Sequence, residues 1–126
     1  MENHDKFNNY TVGILAHLYE IFPNQAVRDT TDDPDPLTLT DTIQFWQRCN
    51  MIVVAQAAET FGPGGAQFYG VGLTLPGLAA LRTPWSNSAK PVTLGERMLE
   101  LDRVPGPADK DKVDEVIDEL LRRLTI

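Results

Sequence analysis

The segment from Asp109 onward restricts the fold more than any other part of the chain. Val113, Val116, Ile117, Leu120, Leu121 and Leu124 recur at steps of three and four, which lines them up as one apolar stripe on a helix. The opposite face is charged. Asp118 with Arg122 and Glu119 with Arg123 have the spacing that supports a helix by about 0.2–0.5 kcal/mol per pair, and both arginines fall near the negative end of the helix dipole. Such a stripe has to be covered, either by the chain's own core or by the same helix of a second copy. Pro105, Gly106 and Pro107 just before it read as a hinge that would let the helix reach another subunit. The expectation is therefore self-association through these six residues as a homodimer. The stripe spans only about two heptads, so a lone helix pair would be weak and other contacts would have to contribute.

Upstream, residues 5–22 carry Phe7, Tyr10, Ile14, Leu18, Ile21 and Phe22 at helical spacing, and Pro23 ends that helix. Residues 24–38 hold Asp29, Asp32, Asp33 and Asp35 with two prolines and almost nothing apolar, which predicts an exposed, irregular loop. Thr38 or Thr40 can cap the next helix, expected over residues 40–50. Residues 51–58 and 67–73 flank a Gly/Pro-rich turn and predict a β-hairpin. Thr74 and Pro76 start a short helix ending at Leu81, and Thr93 caps another over residues 94–103. The class is α+β and mainly helical.

A chain of 126 residues is one domain, long enough to bury a core without help from a metal or a disulfide. Its single Cys49 excludes an internal disulfide framework. Eleven Lys and Arg against eighteen Asp and Glu leave a formal charge of −7, which repels phosphate and anionic lipid. The first residues are polar and acidic rather than basic and then apolar. The longest apolar runs, such as residues 51–55, fall far short of the roughly 20 needed to cross a bilayer. A cytoplasmic protein without a membrane partner is expected.

The order of helix, acidic loop, helix, hairpin and then Leu73-Thr74-Leu75-Pro76-Gly77-Leu78 resembles the winged helix-turn-helix superfamily over about residues 7–81. The resemblance implies that residues 40–50 form the recognition helix and that the hairpin is the wing. In that family the returning strand ends in a Leu-Thr and Gly-containing helix start, matched here by Leu73, Thr74 and Gly77. Residues 93–126 would be a helical extension on this winged-helix-like core. One departure is plain: the Asp/Pro-rich stretch occupies the place of the family's middle helix.

At about 100° per residue, Asp41, Gln44, Gln47 and Arg48 share a polar arc, while Ile43, Phe45, Trp46 and Cys49 lie mostly opposite. Gln and Arg are residue types that read base edges, so Gln44, Gln47 and Arg48 are the candidates for a DNA-reading face. The charge opposes that use. Residues 20–59 carry a net −5, and residues 53–73 contain neither Lys nor Arg. The basic residues available to compensate, Arg82, Lys90, Arg97 and Arg103, all lie downstream. The expected function is therefore a non-enzymatic protein-interaction or regulatory module. A DNA-binding transcriptional regulator is the alternative, and a small-ligand sensor walled by Trp46 and Trp85 is the third.

Enzymatic patterns are absent from the sequence. His4 and His17 belong to no metal-binding His-Glu-x-x-His motif, and Cys49 is expected to be a buried, inert thiol rather than a partner for His17. Asp32, Asp33 and Asp35 lack the glycine and terminal glutamate of a calcium loop. Gly64, Gly65, Gly70 and Gly72 precede no Gly-Lys-Ser/Thr, so a phosphate loop is rejected. Phe61, Phe68 and Tyr69 are expected to pack on the sheet rather than form a binding tip. No catalytic residue, metal or cofactor is expected.

Overall fold

The structure, a computed structural model, describes residues 3–60, 63–85, 90–106 and 109–125. Along these the chain forms α1 (Asn3–Ile21), β1 (Ala26–Asp29), α2 (Pro36–Arg48), β2 (Ile52–Val53), β3 (Gln56–Glu59), β4 (Ala66–Leu73), α3 (Leu75–Leu81), α4 (Leu94–Arg103) and α5 (Lys110–Leu124). This is the α+β, mainly helical class expected. β4 is the central strand and runs antiparallel to all its neighbours, with β1 on one edge and β2 and then β3 along the other.

Helix α1 is the hub, packing on α2, α4, α5 and β4. Its buried residues are Asn8, Thr11, Val12, Ile14, Leu15, Ala16 and Leu18, more than one stripe, and the expected contacts Phe7, Tyr10, Ile21 and Phe22 are only half-buried. Two of the buried side chains are polar and each has a partner. The Asn8 amide donates to Asp114 Oδ1 at 2.8 Å, and Thr11 Oγ1 accepts from Trp46 Nε1 at 2.9 Å. Trp46 is fully buried, stacked on Phe7 with a centroid separation of 5.8 Å and edge-on to Phe45 at 4.9 Å.

The expected acidic loop is instead largely structured. Ala26–Asp29 pairs with β4 as an edge strand whose residues alternate half-buried and exposed, so it needs no apolar run to form. Arg28 turns inward, its Nη2 lying 2.9 Å from His17 Nδ1 on α1. Helix α2 starts earlier than residue 40. Asp35 caps it by accepting from the Thr38 amide at 3.2 Å, and Pro36, which has no N–H to lose, opens its first turn. Asp35 also pairs with Lys6 at 2.7 Å, and Asp33 accepts from Tyr10 at 2.5 Å, so these aspartates tie the segment onto α1.

The caps read from sequence at α3 and α4 are present. Thr74 accepts from the Gly77 amide at 2.9 Å, and Thr93 forms a reciprocal capping box with Glu96. Helix α5 begins after Asp109 as expected, and its stripe folds back onto this chain's own core. Val113, Val116, Ile117 and Leu120 are 0–1% exposed, Leu121 is half-buried and Leu124 lies at the rim, 36% exposed. At about 1.5–3 kcal/mol per buried aliphatic side chain, uncovering those four would cost about 6–12 kcal/mol, comparable with the whole stability of a typical domain. The stripe therefore packs within this chain and does not lie free for a second copy, which corrects the expected self-association surface. The expected pair of Glu119 with Arg123 is present at 2.9 Å, but Glu119 is buried and not on an exposed charged face. Of the hinge residues, Pro107 lies outside the described residues.

Candidate interaction groove between α2 and the hairpin

The groove-facing positions on α2 follow from its start at Pro36. Leu37, Thr40, Asp41 and Gln44 fall at i, i+3, i+4 and i+7, one stripe running along the helix. That stripe faces Glu59 and Thr60 at the end of β3, and Gly64, Gly65 and Ala66 at the start of β4. Together they line an open groove of about 330 Å³, near the lower end of ligand-pocket sizes.

Threonines fix the two walls relative to one another. Thr40 Oγ1 donates to the Gly64 carbonyl at 2.7 Å and lies 2.7 Å from Thr30 Oγ1, which accepts from the Ala66 amide at 3.0 Å. Thr31 and Thr60 pair through their hydroxyls at 2.6 Å. Gly64 has φ +77°, and a Cβ there would sit 2.7 Å from Leu37 Cβ, so the turn approaches α2 as closely as glycine permits. The hairpin is thus held against the helix by side chain–backbone bonds rather than by an apolar plug. Leu37, 57% exposed, forms the apolar rim.

No Lys, Arg or His lines this groove, and its charges are the carboxylates of Asp41 and Glu59. Neither carboxylate has a hydrogen-bond or ion-pair partner among the described residues. The sequence-predicted face is divided by the geometry. Gln44 lines the groove, whereas Arg48 lines a second cleft on the other flank of α2 with Asn3, Phe7, Thr38, Thr42 and Phe45. Asp41 borders both, and Gln47 is exposed but lines neither. Leu37, Thr40, Glu59 and Thr60 were not among the expected site residues, because a helix start at residue 40 removes Leu37 from the stripe.

Other expected positions are resolved plainly. Cys49 is exposed rather than buried, since it caps the C-terminus of α2 instead of continuing its inner face. Phe68 is buried in the core and Tyr69 is partly exposed on the outer sheet face; Phe61 lies outside the described residues. Trp46 and Trp85 are both buried and line neither cleft. Two of the downstream basic residues are occupied, Arg97 by Glu100 at 3.0 Å and Arg103 by Glu20. Among the described residues, no group of three His, Cys, Asp or Glu is arranged to hold a metal ion. No helix among them is long and apolar enough to cross a membrane.

A slightly larger cavity, about 350 Å³, lies where α1, α4 and α5 meet and contains Asp5, Asp102, Asp114 and Lys110. Its charges are largely used internally. Lys110 reaches Asp114 at 2.9 Å and Asp5 at 3.5 Å, which together with the Asn8 amide holds the Asp114 carboxyl below its ordinary range. The α2–hairpin groove is the better candidate because its charged groups are unspent. Comparison with protein-family models, curated proteins and solved structures finds no match to this chain.

Proposed function

We propose that the chain is a non-enzymatic protein-interaction or regulatory module with a winged-helix-like core, and that its working surface is the groove between α2 and the β3–β4 hairpin. The order in which α2 passes directly into the hairpin, and β4 into the Thr74-capped α3, supports the winged-helix-like reading. The observation that carries the functional reading is the charge of that surface. A duplex-binding protein neutralises several phosphates with Lys or Arg. Across α2 and the hairpin the only cation is Arg48, set against Asp41 and Glu59.

The test is duplex-DNA binding followed by fluorescence anisotropy across a salt series. Binding that stays negligible at low salt, and that is unaltered by Arg48→Ala, is the expected result. Affinity that falls steeply with salt and is lost in Arg48→Ala would establish the transcriptional regulator instead.

A further inference from the structure

Strand β3 is an edge, with β4 on one side and, among the described residues, no strand on the other, and all four of its residues are exposed. Its hydrogen-bonding parity follows from the register. The Thr60 amide donates to the Gly65 carbonyl at 3.2 Å, and Gln56, Ala57, Ala58 and Glu59 lie opposite Tyr69, Phe68, Gln67 and Ala66. Bonded and non-bonded pairs alternate along an antiparallel ladder, so Ala58 and Gln56 bond inward with Thr60, while Ala57 and Glu59 turn their N–H and C=O outward. Glu59 shares a face with its opposite, the buried Ala66, which is the face that looks onto α2. A residue placed opposite Glu59 on an added strand would have its side chain on that same face, over the groove.

We propose that the partner is an extended protein segment that adds to the free edge of β3 and places an arginine or lysine opposite Glu59, with the cationic head between Glu59 and Asp41 and the aliphatic stem along the groove. This rests on the protein-interaction reading above and specifies the partner's chemistry. Charge selects that occupant. The groove presents two unpartnered carboxylates and no cation, Leu37 supplies an apolar wall for the stem, and Gln44 adds a neutral polar group. A second copy pairing through its own β3 would bring Gln56, Ala57, Ala58 and Glu59, which include no cation.

The experiment titrates the full-length, ¹⁵N-labelled chain with a capped Val-Thr-Arg-Thr-Val peptide, its citrulline isostere and a 20-base-pair duplex. Two results are expected with the arginine peptide: shifts concentrated at Ala57, Glu59, Thr60 and Asp41, and slowed amide exchange at Ala57 and Glu59. Glu59→Gln and Asp41→Asn should each weaken binding about 2–5-fold, the size of an exposed ion pair. Both positions are exposed, so the variants should keep the wild-type spectrum elsewhere. Equal binding of the citrulline peptide at β3 would overturn the cation requirement and leave the protein-interaction reading standing. Absence of any peptide response at β3, or shifts spread over the acidic turns of α5, would overturn the proposal. Salt-sensitive shifts of α2 and hairpin amides with the duplex would overturn the underlying reading itself.

Discussion

The same chemical change, glycine to alanine, should alter stability in opposite directions at two helical positions, and the difference can be worked from the structure. Gly13 lies in the middle of α1, where an added Cβ would have Asp102 Oδ1 as its nearest neighbour at 3.7 Å, an ordinary contact. Alanine there restricts the unfolded chain and suits the helix, a gain of about 0.5–1 kcal/mol. Gly77 lies in α3, where a Cβ would fall 2.1 Å from the Met51 carbonyl oxygen. That oxygen cannot rotate away, since it belongs to the backbone and accepts from the Thr74 amide at 3.1 Å. Thr74 in turn caps α3 through the Gly77 amide. Relieving the overlap must therefore shift α3 away from β2, loosening the cap and the anchors Leu78 and Leu81.

Overpacking of this kind costs about 1–3 kcal/mol and loss of a cap about 1, against a helix-propensity gain of up to about 1. Gly77→Ala should accordingly be destabilised by about 2–3 kcal/mol. With an unfolding entropy of about 2.1 cal/mol/K per residue, that corresponds to a fall in Tm of about 8–11 °C for this chain, while Gly13→Ala should rise by about 2–4 °C. Thermal unfolding followed by circular dichroism measures both. A Gly77→Ala protein as stable as the parent would refute the claim that a backbone contact fixes glycine at this position.

Three further outcomes are expected. Thr11→Val removes the acceptor of the buried Trp46 Nε1 and should cost about 1–3 kcal/mol in urea unfolding; an unchanged midpoint would mean that the bond contributes nothing. Burial, and then the Arg28 guanidinium, hold the His17 imidazole below its ordinary value of 6.5 despite Asp102. The unfolded chain therefore takes up the proton first, and stability that is complete above about pH 6.5 should be lost as pH falls toward the lower folded value. Urea midpoints at about pH 5.5 and 7.5 should differ in the parent and differ less in His17→Gln. The exposed Cys49 should react with Ellman's reagent in the native protein as fast as in urea; strong native protection would contradict its position beyond the end of α2.

What could be read from the sequence was local. Thr74 with Gly77, Thr93 with Glu96, and Asp109 ahead of the last stripe announce helix starts within four residues, because a cap and the amides it satisfies are near neighbours in the chain. The buried set of α1 was not legible, since Asn8 and Thr11 are inside only because Asp114 and Trp46 meet them there. Strand β1 was missed for a related reason. Four residues with two apolar side chains carry no strand signal until β4 is laid beside them. The polar arc of α2 was visible, but its division into two clefts depends on where the hairpin tip and the start of α1 come to rest.

Net charge alone understates how selective the groove is. Five of the chain's eleven Lys and Arg pair with its own carboxylates among the described residues: Lys6 with Asp35, Arg97 with Glu100, Arg103 with Glu20, Lys110 with Asp5 and Asp114, and Arg123 with Glu119. These pairs engage six of the eighteen carboxylates and use basic residues that a phosphate-binding patch would need. Asp41 and Glu59 have no such partner among the described residues, so negative charge stands on either side of the groove beside the edge of β3. Added salt should then weaken docking of a cationic segment without creating any affinity for DNA, because screening removes repulsion but supplies no cations to replace the phosphate's counterions.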